Sequence, residues 1–199
     1  EIGDRLSASS KSRLIFLGWM DAGTRNLITK APVTKAEDLK GMKIRVQGSP
    51  IALDTLKAMG ANSVAMGVSE VFSGMQTGVI DGTENNPPTF VAHNYLPVVK
   101  NYTWSKHFII PELFLFSKAK WDKLKKEDQE LILKLAKEAQ AEQRELWKAY
   151  NEKSLEAMKT GGVQFHEMDT APFYQATQSV RDKYGKDHQD LITRIQEVK

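Results

Sequence analysis

Lys43-Ile44-Arg45-Val46-Gln47 is the stretch that decides the fold, because its side chains alternate between apolar and polar. The alternation places Ile44 and Val46 on one face of a strand and the other three side chains on the opposite face. We therefore predict a strand with one polar side, on which Arg45 points away from the core.

A helix signal follows this strand. Ser49 is a helix-capping residue type, Pro50 suits the first helical position, and apolar residues recur at helical spacing until Gly60 ends the pattern. Further predicted elements are strands at 63–66, 79–82 and 108–117 and a helix at 69–76. Alternating short strands and helices with glycine between them indicate an α/β fold.

The second half of the chain has a different pattern. No glycine or proline occurs from Asp122 to Thr160, and leucines keep a near-helical spacing between charged residues. This pattern predicts one long amphipathic helix, ended by Gly161 and Gly162. The remaining predicted elements are a strand at 163–166 and helices at 170–184 and 188–198.

Composition and charge argue against several classes of protein. The chain has 199 residues with 28 basic and 25 acidic side chains, a net charge of +3, and no basic run with interleaved aromatics, so no nucleic-acid partner is expected. Pro111 and Glu112 interrupt the longest near-apolar stretch, so we predict no membrane span. The sequence begins at Glu1 without a signal pattern, which predicts a processed chain or a piece of a longer one.

Sequence signatures of catalysis and metal binding are missing. There is no cysteine, and the four histidines lack the three- or four-residue spacing of a helical metal site. Without a nucleophile elbow, a phosphate loop or a dinucleotide fingerprint, we expect no catalytic residue, no metal and no cofactor. The acidic pair Asp81 and Glu84 leaves two interpretations open, a general acid and base or a capping and surface arrangement.

The arginines point to an anion site. Arg45 lies on the polar face of a strand that runs into a glycine and a helix N-terminus, where ligands bind in α/β proteins. A guanidinium there can hold a carboxylate by two parallel hydrogen bonds. The alternative is a surface arginine paired with a nearby acid, and Arg25 leaves the same two interpretations open. Asn85 and Asn86 offer amide groups, and Pro87-Pro88 after them predicts an extended loop.

The order of these motifs resembles a known family. Leu39–Val46, Gly60-Ala61, Ser69–Phe72 and Met75–Asn85 are similar to the solute-binding proteins of TRAP transporters, the DctP type, and the similarity covers essentially the whole chain. The resemblance implies an α/β, periplasmic-binding-protein-like two-lobe fold of class II type with a long lobe-spanning helix. It also implies a periplasmic protein, made with a signal peptide, that binds an organic acid for the membrane subunits of the transporter and is not an enzyme.

The resemblance also implies roles for individual residues. Arg45 would form the ion pair with the ligand carboxylate, joined by Arg25 and Asn85. The phrases Gly18–Asn26 and Glu84–Pro87 look most like members that bind uronates and related sugar acids. Further hydroxyl contacts are implied for Glu84, Asn86 and His107.

Family members are longer than this chain, which resembles their C-terminal two-thirds. We therefore expect a nearly complete lobe from residues 23–110 and 151–199, with hinge strands and helix of a truncated lobe from residues 1–22 and 111–150. Strands left without neighbours favour association, and a homodimer through them is expected. Two alternatives stay open: a binder of C4-dicarboxylates or other small organic acids, and a non-binding fragment that self-associates or docks its long helix onto another protein.

Overall fold

The computed structural model describes residues 2–9, 11 and 13–198. The strands within these residues are β1 (Leu14–Met20), β2 (Thr24–Thr29), β3 (Lys43–Val46), β4 (Asn62–Ala65), β5 (Gly82–Asn85), β6 (Asn101–Ile109), β7 (Glu112–Ser117) and β8 (Gln164–His166). The helices are α1 (Ile2–Ser9), α2 (Pro50–Ala58), α3 (Val71–Thr77), α4 (Pro87–Ala92), α5 (Lys118–Trp121), α6 (Lys126–Thr160), α7 (Ala171–Ala176), α8 (Gln178–Gly185) and α9 (Gln189–Gln196). Short 3-10 turns occupy Ala36–Leu39, Val68–Glu70 and Lys186–His188.

The chain divides into two compact units. The first unit comprises Glu1–Gly23 and Ile109–Lys153, and the second comprises Thr24–Phe108 and Ser154–Lys199. Positions 1, 10, 12 and 199 of the predicted lobes lie outside the described residues. That the first unit belongs to a longer lobe stays a prediction.

The second unit contains a six-stranded mixed sheet in the order β4-β3-β5-β2-β6-β8. β3 pairs in parallel with both β4 and β5, whereas β2 and β5 are antiparallel. Parallel neighbours need crossover connections, and α2 and α3 supply them. The register places Arg45 beside Thr83 and Asn26 beside Asn85.

Both faces of this sheet are covered by apolar side chains. Leu27 and Ile28 are consecutive residues of β2, and both are completely buried. Leu27 belongs to a cluster with Ile44 and Phe173, and Ile28 belongs to another with Tyr102. Because consecutive side chains of a strand point to opposite faces, the two clusters lie on opposite sides of the sheet.

The expectation that Arg45 points away from the core is wrong. Arg45 is only 5% exposed, although Lys43 on the same strand is exposed. The reason is that β3 lies between β4 and β5, and an interior strand with both faces covered buries even its polar side chains. Local alternation gives the face of a side chain but not what covers that face.

Three other local predictions need correction. The strand expected at 79–82 is β5, which begins at Gly82. The single strand expected at 108–117 is two strands, because Ile110 and Pro111 separate β6 from β7 and proline has no N–H for a ladder. The extended loop expected at Pro87-Pro88 is the first turn of α4, capped by Asn86, since proline suits the first helical position.

The first unit is built on a two-stranded antiparallel sheet of β1 and β7. Its buried core residues are Leu17, Trp121 and Ala136. The side chain of Gln140 on α6 lies against Gly18, where a Cβ atom would collide with it, and its Oε1 accepts the Trp19 N–H at 2.8 Å. A side chain at position 18 would displace the Gln140 amide from this hydrogen bond.

The long helix predicted from Asp122 to Thr160 is confirmed as α6, which begins four residues later, at Lys126, and ends at Thr160. Its charged residues alternate with leucines that are half exposed, such as Leu131 and Leu146. Within the described part of the chain, no helix combines the length and the apolar character that a membrane crossing requires.

We expect Ile44→Ala to lower the free energy of unfolding by about 2 to 5 kcal/mol, because it opens a cavity in a completely buried cluster. Ile51→Ala is the matched control, since Ile51 is 42% exposed on α2 and should lose less than about 1 kcal/mol. Urea denaturation of both variants measures the difference. Equal losses would contradict the burial assigned to β3.

Candidate functional site

Arg25 and Glu84 form a buried ion pair on the neighbouring strands β2 and β5. Arg25 Nε donates to Glu84 Oε2 at 2.5 Å, and Nη2 donates to Oε1 at 2.8 Å, so the pair is bidentate. Nη2 also donates to the Glu84 carbonyl oxygen at 3.0 Å. Because Glu84 is 1% exposed and Arg25 8%, each charge is compensated by the other rather than by water.

His107 lies beside this pair, near the end of β6. Its Nδ1 atom is 2.8 Å from Ser105 Oγ, and its Nε2 atom is 3.4 Å from Glu84 Oε2. The second distance is too long for a well-formed hydrogen bond, and the buried Nε2 atom has no hydrogen-bond partner among the described residues. His107 therefore brings an unused polar nitrogen to the site.

The charge state of Glu84 follows from two opposing effects. Burial raises the pKa of Glu84, because an apolar environment disfavours the carboxylate. The hydrogen bonds from Arg25, with smaller contributions from His107 and the Arg25 charge, outweigh burial and hold the pKa below its usual value. Glu84 is therefore ionised at neutral pH.

Arg45 is a second buried guanidinium, on β3. Its Nε and Nη2 atoms donate to the carbonyl oxygen of Met66 at 2.9 and 2.8 Å. Burial lowers the pKa of Arg45, whereas the nearby Tyr95 and Glu84 raise it. Among the described residues no carboxylate pairs with Arg45 and nothing accepts from its Nη1 atom. One edge of the guanidinium is therefore open to an anion.

Asn85 and Asn86 join the end of β5 to the start of α4. Asn85 Oδ1 accepts the backbone N–H of Asn86 at 2.9 Å, and its Nδ2 donors have no hydrogen-bond partner in the described part of the chain. Asn86 Oδ1 accepts the Thr89 N–H at 2.9 Å and caps α4. Asn85 thus presents a hydrogen-bond donor, whereas the side-chain oxygen of Asn86 holds a helix terminus.

The structural interpretation of the acidic pair Asp81 and Glu84 is the one that the geometry favours. Asp81 Oδ2 accepts the backbone N–H of Lys43 at 2.7 Å, so it ties the start of β3 to the chain before β5. Glu84 is held by Arg25. Neither carboxylate has the freedom of a general acid or base.

Sequence reasoning missed two buried polar residues of this site, Asn26 and Tyr102. They hydrogen-bond to each other at 3.1 Å, and the Tyr102 hydroxyl reaches the Asn85 carbonyl oxygen at 3.2 Å. The signal available in the sequence is a lone asparagine directly before the apolar pair Leu27-Ile28. A polar residue at the edge of a buried strand requires a partner, but the sequence does not identify which.

A cavity of about 700 Å³ lies in the second unit, between the end of β6 and helices α2, α7, α8 and α9. The described residues that line it include His107 but none of Arg25, Arg45, Glu84 or Asn85. The cavity is therefore separate from the two guanidinium groups.

Comparison with known proteins identifies the family of the chain. Residues 1–187 match the family described as bacterial extracellular solute-binding protein, family 7. The 2,3-diketo-L-gulonate-binding periplasmic protein YiaO of Escherichia coli is 33% identical over 100% of this chain and 62% of its own length.

Solved structures agree with this match. A TRAP periplasmic solute-binding protein from Citrobacter koseri with bound D-glucuronate is 71% identical, with a TM-score of 0.95. One from Pseudomonas putida F1, also with bound D-glucuronate, is 50% identical with a TM-score of 0.95. The chain is covered completely in both cases but spans only 66% of either solved chain.

We expect Glu84→Gln to lower the free energy of unfolding at neutral pH by about 3 to 5 kcal/mol, because it leaves the buried Arg25 charge without a counter-ion. Asp54→Asn is the matched control, since Asp54 pairs with Lys183 at an exposed position and should change stability little. Urea denaturation measures both losses. Similar losses for the two variants would contradict a buried charge pair.

The stabilisation by Glu84 should also depend on pH. The pKa of Glu84 is lower in the folded state than in the unfolded state. The stabilisation is therefore complete above the ordinary glutamate pKa, and it is lost as the pH falls through the pKa of the folded state. We expect the stability difference between the wild type and Glu84→Gln to narrow below about pH 4. A difference that stays constant down to about pH 3 would show that Glu84 is not the group responsible.

Proposed function

Since the chain belongs to family 7 of the bacterial extracellular solute-binding proteins, we propose that it is the periplasmic solute-binding component of a TRAP transporter. It captures an organic acid, a uronate or related sugar acid, and delivers the acid to the membrane subunits. The chain spans 61% of the length of a relative from Chromohalobacter salexigens and 66% of the solved Citrobacter koseri chain, and the proposal concerns a protein of the relatives' full length.

The observation that carries this proposal is the open edge of the buried Arg45 guanidinium. A buried charge without a counter-ion is costly, and a ligand carboxylate that pairs with it by two hydrogen bonds removes that cost. The free Nδ2 donors of Asn85 add hydrogen bonds to the same anion. We assign Arg45 the ion pair and Asn85 a supporting contact.

Arg25 binds the ligand through the donors that Glu84 does not engage. Its Nε and Nη2 atoms are engaged by Glu84, while its Nη1 atom has no partner among the described residues. We propose that Nη1 donates to the ligand, and that Glu84 and His107 contact ligand hydroxyl groups. Asn86 is the remaining proposed hydroxyl contact, and its side-chain oxygen caps α4.

A sugar acid suits this set of groups better than a simple diacid. Hydroxyl groups both donate and accept, so they use the Glu84 carboxylate and the unused His107 nitrogen as well as the arginines. D-glucuronate, which is bound to the Citrobacter koseri and Pseudomonas putida proteins, also carries a carboxylate and several hydroxyl groups. C4-dicarboxylates are the alternative ligand class, and a relative from Rhodobacter capsulatus, 33% identical, is named for binding them.

The proposed activity is binding rather than catalysis. Arg45 holds the carboxylate, and closure of two lobes around the ligand requires contacts that form only in the closed state. The carboxylates near the site are engaged in structural hydrogen bonds, which favours a role without proton transfer.

A second proposal concerns self-association of the chain. The two-stranded sheet of the first unit carries Leu113 and Leu115 on its exposed face, 40% and 36% exposed. No described strand pairs with the outer edges of β1 and β7, and unpaired edges with apolar side chains favour association. We propose a homodimer through this face.

Arg45→Lys should raise the dissociation constant for D-glucuronate at least about 30-fold, because lysine keeps the charge but loses the two-pronged geometry. Arg181→Lys is the matched control, since Arg181 binds residues of α7 and α8 and should leave the affinity unchanged. Titration calorimetry with D-glucuronate and succinate measures both variants and the wild type. Tighter binding of succinate than of D-glucuronate would favour the dicarboxylate alternative.

Sedimentation velocity should give a mass near twice 22.4 kDa for the wild-type chain. Leu115→Glu should return it to the monomer mass, because a charge in an apolar interface is costly. Leu146→Glu is the control, since Leu146 is 61% exposed and belongs to α6 rather than to β7. A monomeric wild type would rule out the dimer.

A further inference from the structure

Asn26 lies at the centre of a buried hydrogen-bond network. It is completely buried on β2, directly beside Asn85 in the antiparallel register with β5. Its Nδ2 group donates to the Thr24 carbonyl oxygen at 3.0 Å and to the Tyr102 hydroxyl at 3.1 Å. Its Oδ1 atom accepts the backbone N–H of Lys106 at 3.0 Å. The whole amide is thus satisfied inside the protein.

One branch of this network leads to Asn85. The Tyr102 hydroxyl accepts from Asn26 and donates to the Asn85 carbonyl oxygen at 3.2 Å. Burial raises the pKa of Tyr102, so the hydroxyl keeps its proton and remains a donor. The backbone N–H that follows Asn85, that of Asn86, in turn holds Asn85 Oδ1. Each hydrogen bond therefore restricts the orientation in which the Asn85 Nδ2 group is presented.

The other branch leads to His107. Lys106 has a φ of +47°, in the left-handed region that residues with a Cβ atom rarely adopt. The hydrogen bond from its N–H to Asn26 helps to hold this conformation. Lys106 separates Ser105 from His107, whose side chains are joined at 2.8 Å. The position of His107 near Glu84 thus depends on the same asparagine.

We propose that Asn26 and Tyr102 are positioning residues of the anion site, which fix Asn85 through the Tyr102 hydroxyl and the Ser105–His107 segment through the Lys106 N–H. This inference rests on the proposed function, because it assigns the network to ligand binding. Preorganised donors avoid an ordering cost when the ligand binds. Neither residue touches the ligand in this proposal, and both act through Asn85 or His107.

The first test needs no ligand. Asn85→Ala identifies the side-chain amide resonance of Asn85 by its disappearance from the NMR spectrum. We expect Tyr102→Phe to shift or broaden that resonance, whereas Tyr184→Phe leaves it in place. Tyr184→Phe is the matched control, because it also removes a tyrosine hydroxyl hydrogen bond in the second unit, the one to Asp54 at 2.8 Å.

The second test is a double-mutant cycle on D-glucuronate binding by calorimetry. Tyr102→Phe should raise the dissociation constant about tenfold in the wild type, and by less than about twofold in the Asn85→Ala background. A purely structural role for Tyr102 would give no increase, or the same increase in both backgrounds. Either of these results overturns the inference.

Failure of the proposed function has a different signature. If the wild type does not bind D-glucuronate, the proposed ligand class is wrong, and the NMR test alone decides the inference. A shift of the Asn85 resonance in Tyr102→Phe then supports the inference, and an unchanged resonance overturns it. If Tyr102→Phe does not fold, Asn26→Asp replaces it in both tests. Aspartate keeps the oxygen that accepts the Lys106 N–H and lacks the Nδ2 donor to Tyr102.

Discussion

Two guanidinium groups are buried in one sheet, and among the described residues a single carboxylate, that of Glu84, is paired with them. Burial of a charge is tolerated when the charge is paired or fully hydrogen-bonded. Arg25 meets this condition through Glu84, but Arg45 meets it only in part, through the Met66 carbonyl oxygen. In the proposed function, this remaining demand for an anion is met by the ligand carboxylate.

The order of the strands places two arginines beside a single glutamate. Arg45, Glu84 and Arg25 come from β3, β5 and β2, which are consecutive neighbours in the sheet although they are far apart in the chain. The parallel pairing of β3 with β5 and the antiparallel pairing of β5 with β2 bring their polar ends together. Both arginines are largely buried in this sheet, which strengthens their attraction for an anion.

Polar residues behind the site complement the charged ones. Asn26 and Tyr102 form a hydrogen bond with each other. Tyr102 also hydrogen-bonds to the backbone of Asn85, and Asn26 to the backbone of Lys106. A buried network of this kind is costly unless every group in it is paired. Here the pairing ties Asn85 on β5 to Lys106 on β6, so strand packing and site geometry depend on the same hydrogen bonds. The first unit differs, because apolar side chains of β7 stay exposed.

The sequence by itself determined the features that depend on neighbours along the chain. The α/β class, the strand around Ile44, the helix after Pro50 and the long helix α6 follow from periodicity and capping residues, which act within a few positions. The residue types and positions of Arg45, Arg25 and Asn85 indicated an anion site, and the family resemblance implied their individual roles, which stay a prediction as ligand contacts.

Tertiary structure alone decided which of these side chains are buried and what they meet. The Arg25–Glu84 pair joins residues 59 positions apart, and the Asn26–Tyr102 bond joins residues 76 positions apart. Alternation along β3 could separate Arg45 from Ile44, but only the neighbouring strands and the cover of both faces made Arg45 a buried charge. Local periodicity specifies the direction of a side chain, whereas burial and charge pairing depend on the strands and helices that the fold brings to that side.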